Sequence, residues 1–387
     1  MTHYIFNLSY IGTFTNIQLR SLAVERGIQR GNDMRTGSKS IVQLSVVLSL
    51  MAFGCMNVSD PGDYKPDTGD VMPDDDVVSD ETSTIGAPDH FDPNLDVPVA
   101  PFQTTLLARN QHTQVITAGE DAVVWTSYNV EKNTGAVMMV LHGETVARMV
   151  STGTMPMGVT TDSDHIFWAD MIEGTIMKIS METGKISKLV GGLVAPNRVA
   201  VDDNHVYFTS AEAGTVSRVS KDGGPAKVLV ADQADPGPIS VVTSPGGVGY
   251  VFFATLGGVG ELKATYTTGG GTIVLKSGAD FSNGFVFDGG DIFWADPVSR
   301  SVQYYSLQHD KTDTLAINQY QVGGLALDGD NVYWTTKVDG TVHSMNRTNG
   351  VRRVLAAEQD SPTQLVVSDT RVVWADAEYG SVFAVAK

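Results

Sequence analysis

The chain has 387 residues, a net charge of −18, 18% charged residues and a single cysteine. One cysteine excludes a disulfide framework and a cysteine-ligated zinc site. The acid excess, with no basic patch interleaved with aromatics, argues against nucleic acid as a partner. The charge is uneven, because residues 1–54 carry +3, residues 56–100 carry −11 and the remainder about −10.

Residues 1–33 hold no clean hydrophobic segment and read as a misassigned extension, with translation expected to start at Met34. From there Arg35 and Lys39 form a basic start, and Ile41–Phe53 is a mostly apolar core of 13 residues. That length is too short to span a bilayer and fits a signal peptide over 34–54. The Gly54-Cys55 ending resembles the lipobox of bacterial lipoproteins, with Ala52 standing where that motif usually has Leu. The resemblance implies cleavage before Cys55 and a lipid on its sulfur, which would anchor the chain to the membrane of a bacterial cell envelope, at the outer membrane or cell surface. Two or more acyl chains give a stable anchor at about 0.8 kcal/mol per buried methylene.

Residues 55–100 then change character. Twelve acids from Asp60 to Asp96 face one base, Lys65, and prolines recur. Such a stretch cannot bury enough apolar area to offset its chain entropy, so it is expected to be a disordered acidic linker. As a self-repelling coil it reaches roughly 40 Å or more and acts as a tether.

From residue 101 to 387 one phrase recurs. It reads VVWTS, IFWAD, VYFTS, VFFAT, IFWAD, VYWTT and VVWAD, with Trp125, Trp168, Phe208, Phe253, Trp294, Trp334 and Trp374 in one slot. The successive gaps are 43, 40, 45, 41, 40 and 40 residues. Each copy holds four short runs of β-branched and aromatic residues punctuated by Gly, Asp and Asn, which predicts four antiparallel strands. Seven such repeats predict an all-β, seven-bladed β-propeller. A blade packs on both faces, which explains near-continuous apolar runs such as IFWA, and places the slot aromatic between blades. The last copy ends after SVFAVA, one strand short. Thr104–Arg109 resembles the fourth strand of other copies, so an N-terminal strand is expected to close the ring and remove a raw edge.

No His-Glu-x-x-His helix, Gly-x-Ser-x-Gly elbow or phosphate loop is present, and no cofactor is expected. The histidines of the repeats are scattered and suggest no metal site. Asp170, Asp296 and Asp376 follow the Trp by two and are expected to bind loop backbone N–H groups. The turns after the first strand are monotonous, as in Asp202-Asp203-Asn204 and Asp328-Gly329-Asp330, whereas the loops of the opposite face differ from copy to copy. Diversity predicts a contact face there. Its candidates are Tyr128, Asn197, Glu212, Asn283 and Tyr379, with Glu173, Asp339 and Glu378 at further strand exits.

Val332-Tyr333-Trp334-Thr335-Thr336 with Gly340-Thr341-Val342 resembles the YWTD repeats of low-density-lipoprotein-receptor propellers, and the likeness extends to NHL and TolB-like repeats. Those YWTD rings have six blades, against seven copies here. Streptogramin lyases are similar in blade number, but their histidine-centred, magnesium-dependent site has no evident counterpart. The expectation is a monomeric, non-catalytic binding or scaffold module for a protein or glycan of the envelope. The alternative is a hydrolase or lyase using loop carboxylates near the central channel.

Overall fold

The computed structural model describes residues 102–387 apart from Pro245, Gly289 and Tyr379. The stretches expected to be a signal peptide and an acidic linker, with Cys55 and Tyr379, therefore lie outside the described residues. Among those described, the chain forms 28 strands and no helix. They pair into seven four-stranded antiparallel sheets arranged as a ring. Six sheets use consecutive strands. The seventh takes three strands from the C-terminus, and its outer edge is β1 (Thr105–Ala108), paired with β28 (Ser381–Ala386). The closing strand read from the sequence is thus present. Leu107 on it is 6% exposed and packs with Val373, Val382 and Ala384 of blade seven and with Trp125 of blade one.

The inner strands of blades one to seven are β2 (Thr113–Ala118), β6 (Pro156–Thr161), β10 (Pro196–Val201), β14 (Pro236–Thr243), β18 (Phe285–Asp288), β22 (Val322–Asp328) and β26 (Pro362–Val367). In every blade the residue facing the slot aromatic is apolar. Val159 faces Trp168, Val199 faces Phe208 and Leu365 faces Trp374. All five tryptophans are at most 1% exposed. The core is divided into seven clusters, each joining two neighbouring blades around one slot aromatic. Truncating one such ring to Ala typically costs about 3–5 kcal/mol.

The residue after the slot is Thr in three blades and Ala in four, and the difference has a structural use. The hydroxyls of Thr126, Thr209 and Thr335 donate across the blade interface to the carbonyls of Met157, Gly237 and Thr363. Where Ala occupies that position, side chains of the inner strand or its entry bridge two further interfaces. Gln364 donates to the Gln114 carbonyl (2.8 Å) and accepts from the Ile116 N–H (3.1 Å). Asn283 donates to the Val322 carbonyl (2.9 Å).

The expected role of the aspartates two after the slot also appears. Asp170 accepts from the N–H groups of Thr154, Met155 and Glu173, Asp296 from Val298 and Ser299, and Asp376 from Ser361 and Glu378. They tie the second-to-third-strand turn, and in two cases the entry to the inner strand, to the end of the second strand.

Candidate binding face and central channel

The strand order gives the ring two distinct faces. The turns after the first and third strands share one face, and those turns are occupied internally. Asp162 and Asp202 each accept two turn N–H groups through one oxygen, at 2.7–2.9 Å. A basic residue just after the third strand then reaches back to the preceding blade. Lys221 meets Asp162 at 2.7 Å, Arg347 meets Asp288, and Lys387 meets Asp328. Burial alone would raise the Asp162 carboxyl, but the Lys221 ammonium and the N–H groups of Asp164 and His165 outweigh it and hold the pKa below the usual range.

The opposite face carries the second-to-third-strand turns and the connections between blades. Exposed apolar side chains recur at its turn tips, with Val298 69% and Val338 62% exposed. Ile317 and Tyr320, on the connection from blade five to blade six, lie in the same sector. That connection is fixed by Gln319 N–H donating to the Arg300 carbonyl (2.8 Å) and Lys337 N–H to the Gln321 carbonyl (3.1 Å). The Arg300 guanidinium lies 5.0 Å from the Tyr320 ring centre. Glu173, Glu212, Asp339 and Glu378 are exposed on the same face.

The structure separates the candidates drawn from the sequence. Glu212 is exposed at a turn tip, and Tyr379 lies outside the described residues. Tyr128 stands within a strand, Ala122–Asn129, that runs two residues longer than the second strand of most blades. It is 4% exposed, and its hydroxyl donates to Asn133 Oδ1 at 2.7 Å, so it fastens the hairpin. Asn197 is 5% exposed and accepts from Arg198 Nη1 at 2.8 Å, while Asn283 bridges blades five and six. Asn197 and Asn283 therefore belong to the inner wall and its entry.

A channel of about 380 Å³ runs between the seven inner strands. Six of these strands shift register near their start, between Pro196 and Val199 in blade three and between Pro362 and Leu365 in blade seven, for example. Such bulges re-aim side chains. In five of the six bulged blades the residue before the one facing the slot aromatic lines the channel, namely Val115, Arg198, Pro238, Gly324 and Gln364, and Gly158 holds the equivalent position in blade two. Gly158 and Gly324 let the neighbouring blade approach. A Cβ on Gly158 would lie 2.4 Å from the Asn197 oxygen, and one on Gly324 would lie 2.3 Å from the Leu365 nitrogen. Among the described residues, Arg198 is the only ionisable side chain on the channel wall. Desolvation by the surrounding strands draws its pKa down to about 10.

No chemical motif in the sequence marks this layer. A visible signal exists, in the repeated Pro-x-x-apolar phrase at Pro156, Pro196, Pro236 and Pro362, each opening an inner strand. Within it, Arg198 is the one charged residue. Among the described residues, no group of three or more His, Cys, Asp or Glu side chains is placed to hold a metal ion.

No protein-family description matches this chain, and no curated protein does. Solved structures do. Streptogramin B lyase superposes with a TM-score of 0.58 at 13% identity, over 73% of this chain and 96% of the lyase. A catalytically inactive virginiamycin B lyase from Staphylococcus aureus with quinupristin gives 0.57 at 12% identity, over 74% and 99%. A chain of the nidogen/laminin complex gives 0.48 at 16% identity, over 67% and 95%. At these identities the two lyase structures share with this chain the propeller fold.

Proposed function

We propose that the propeller is a non-catalytic binding module of YWTD-like repeats, presenting its variable loop face to a protein or glycan of the bacterial cell envelope. A lipid on Cys55 and the acidic linker tether it there. The observation that carries this reading is the exposed sector of blades five and six, where Val298, Ile317, Tyr320 and Val338 stand in solvent beside Arg300. Exposed apolar side chains beside aromatic and arginine anchors mark interaction sites, and exposed acids such as Asp339 supply a polar rim. On the other face, turn-holding and blade-to-blade bonds occupy the turns around Asp162, Asp202, Asp288 and Asp328, and the exposed Val146 and Val248 stand singly in two other blades. The lyase or hydrolase reading needs carboxylates near the channel, and among the described residues none lines it.

Crosslinking of the full chain in its native envelope, followed by identification of the adduct, gives the partner. With that partner purified, Val298→Asp combined with Val338→Asp is expected to weaken binding at least tenfold, about 1.4 kcal/mol, with the melting temperature unchanged. Asp369→Ala, at an exposed turn on the opposite face, should leave affinity intact. The reverse pattern assigns binding to the other face and overturns the proposal.

A further inference from the structure

Among the described residues, no carboxylate lines the channel beside Arg198. The one hydrogen-bond acceptor of Arg198 among the described side chains is Asn197 Oδ1, which takes Nη1 at 2.8 Å and fixes the orientation of the guanidinium. A guanidinium offers five N–H donors, so most of the fork remains uncommitted. The wall around it is otherwise neutral. It combines hydroxyls of Thr160 and Ser240 with the apolar side chains of Ile239 and Phe285. The surrounding ring is acidic, so its long-range field repels anions, and adsorption of anions to the outer surface is disfavoured.

We propose that the central channel is a binding site for a small organic carboxylate, held at the bulge layer by the Arg198 guanidinium, with its apolar part against the channel wall. Three observations select that chemistry. The planar fork of arginine matches a carboxylate in two parallel hydrogen bonds. The volume of about 380 Å³ lies in the range of small-molecule sites, which are largely apolar with a few placed polar groups. The guanidinium also stays charged at neutral pH, its pKa being about 10. This site is independent of the loop-face partner proposed above, since it uses none of the same side chains.

The test uses the full-length protein, with thermal shift and calorimetry against acetate, succinate and benzoate. Benzamide serves as the neutral match to benzoate, phosphate as the tetrahedral anion, and sodium chloride balances ionic strength. Saturable stabilisation by at least one carboxylate is expected, with none from benzamide. Arg198→Gln should weaken that binding by about tenfold or more, and Arg198→Lys should restore part of it as a point charge. Asn197→Asp supplies a second variant, because it places a carboxylate on the guanidinium from within and should block the site while leaving the fold intact. The proposal is overturned if no carboxylate shifts the wild type, if the shift survives both Arg198→Gln and Asn197→Asp, or if phosphate binds and carboxylates do not.

Discussion

Thr209 shows how one hydroxyl can serve two blades. It is fully buried, donates to the Gly237 carbonyl of blade four at 2.9 Å, and accepts from the Arg198 N–H at the bulge of blade three. A buried polar group left unpaired costs about 1–3 kcal/mol, so the Thr copies of the repeat hold backbone groups that the bulges free from the sheet ladder. His343 is the other residue whose surroundings have a measurable consequence. It is 4% exposed, stacks on Trp334 with ring centres 5.2 Å apart, and its Nε2 is 2.6 Å from the Thr341 hydroxyl. Burial first, then the Arg352 guanidinium beside it, hold its pKa down to about 3. The unfolded chain takes up this proton near pH 6.5 while the folded chain does so only near pH 3, so stability falls as pH drops through that window. His205 acts in the same direction, through burial and Arg218. Asp162 and Asp202, both held below the usual range, withdraw their contribution only below about pH 4, and burial raises Asp235, which acts with the opposite sign. Between pH 7 and 4.5 the wild type is therefore expected to lose about 2–3 kcal/mol more than His343→Gln. Denaturant titrations at the two pH values check this, and parallel losses in both proteins would show that His343 is not the group responsible.

The closing strand is the element on which the ring depends most. Its ladder to β28 is short and irregular, joining Thr105 to Ala384, Leu106 to Phe383 and Ala108 to Val382. The chain just beyond it adds a second attachment. Gln111 N–H donates to the Gly380 carbonyl at 2.6 Å, and its Oε1 accepts from Trp125 Nε1 at 3.0 Å. Blade seven is thereby joined to the core of blade one. Removing residues through Ala100 touches none of these contacts and is expected to leave the melting temperature within about 2 °C of the full chain. Removal through Arg109 deletes Leu107, whose burial against Val382 and Ala384 is worth about 1.5–3 kcal/mol, and opens the edge of blade seven. At roughly 2–4 °C per kcal/mol for a chain of this size, and with the ladder lost as well, a drop of about 10 °C is expected. Coincident melting curves for the two truncations would show that the ring closes without β1.

At the scale of the molecule, what was legible followed from repetition. Seven copies of one phrase specify seven blades because each must bury its aromatic against the next, and a missing fourth strand at one terminus implies its donor at the other. The aspartates after the slot were readable for the same reason, since their turns recur. What repetition hides is the single exception. Arg198, Gln364 and Asn283 each occur once, and their importance depends on bulges that turn equivalent positions of different blades towards one channel. From the sequence Tyr128 reads as a loop residue, because nothing in it marks that the second strand of blade one runs two residues longer than that of most blades. Residues 1–100 hold no repeat, and the physical case there rests on composition. We propose that residues 56–100, with a net charge of −11, act as a self-repelling tether. Its use depends on an anchor at Cys55, for which the proposal is a covalent lipid. Labelled palmitate should enter the wild type and not Cys55→Ser, and the wild type should sediment with membranes. Cys55→Ser should leave the propeller in the soluble fraction with an unchanged melting temperature, because the anchor contributes nothing to the blades. Equal labelling of the two proteins would place the lipid elsewhere. Loss of labelling without release from the membrane would mean that the loop face, through its partner, holds the ring in place.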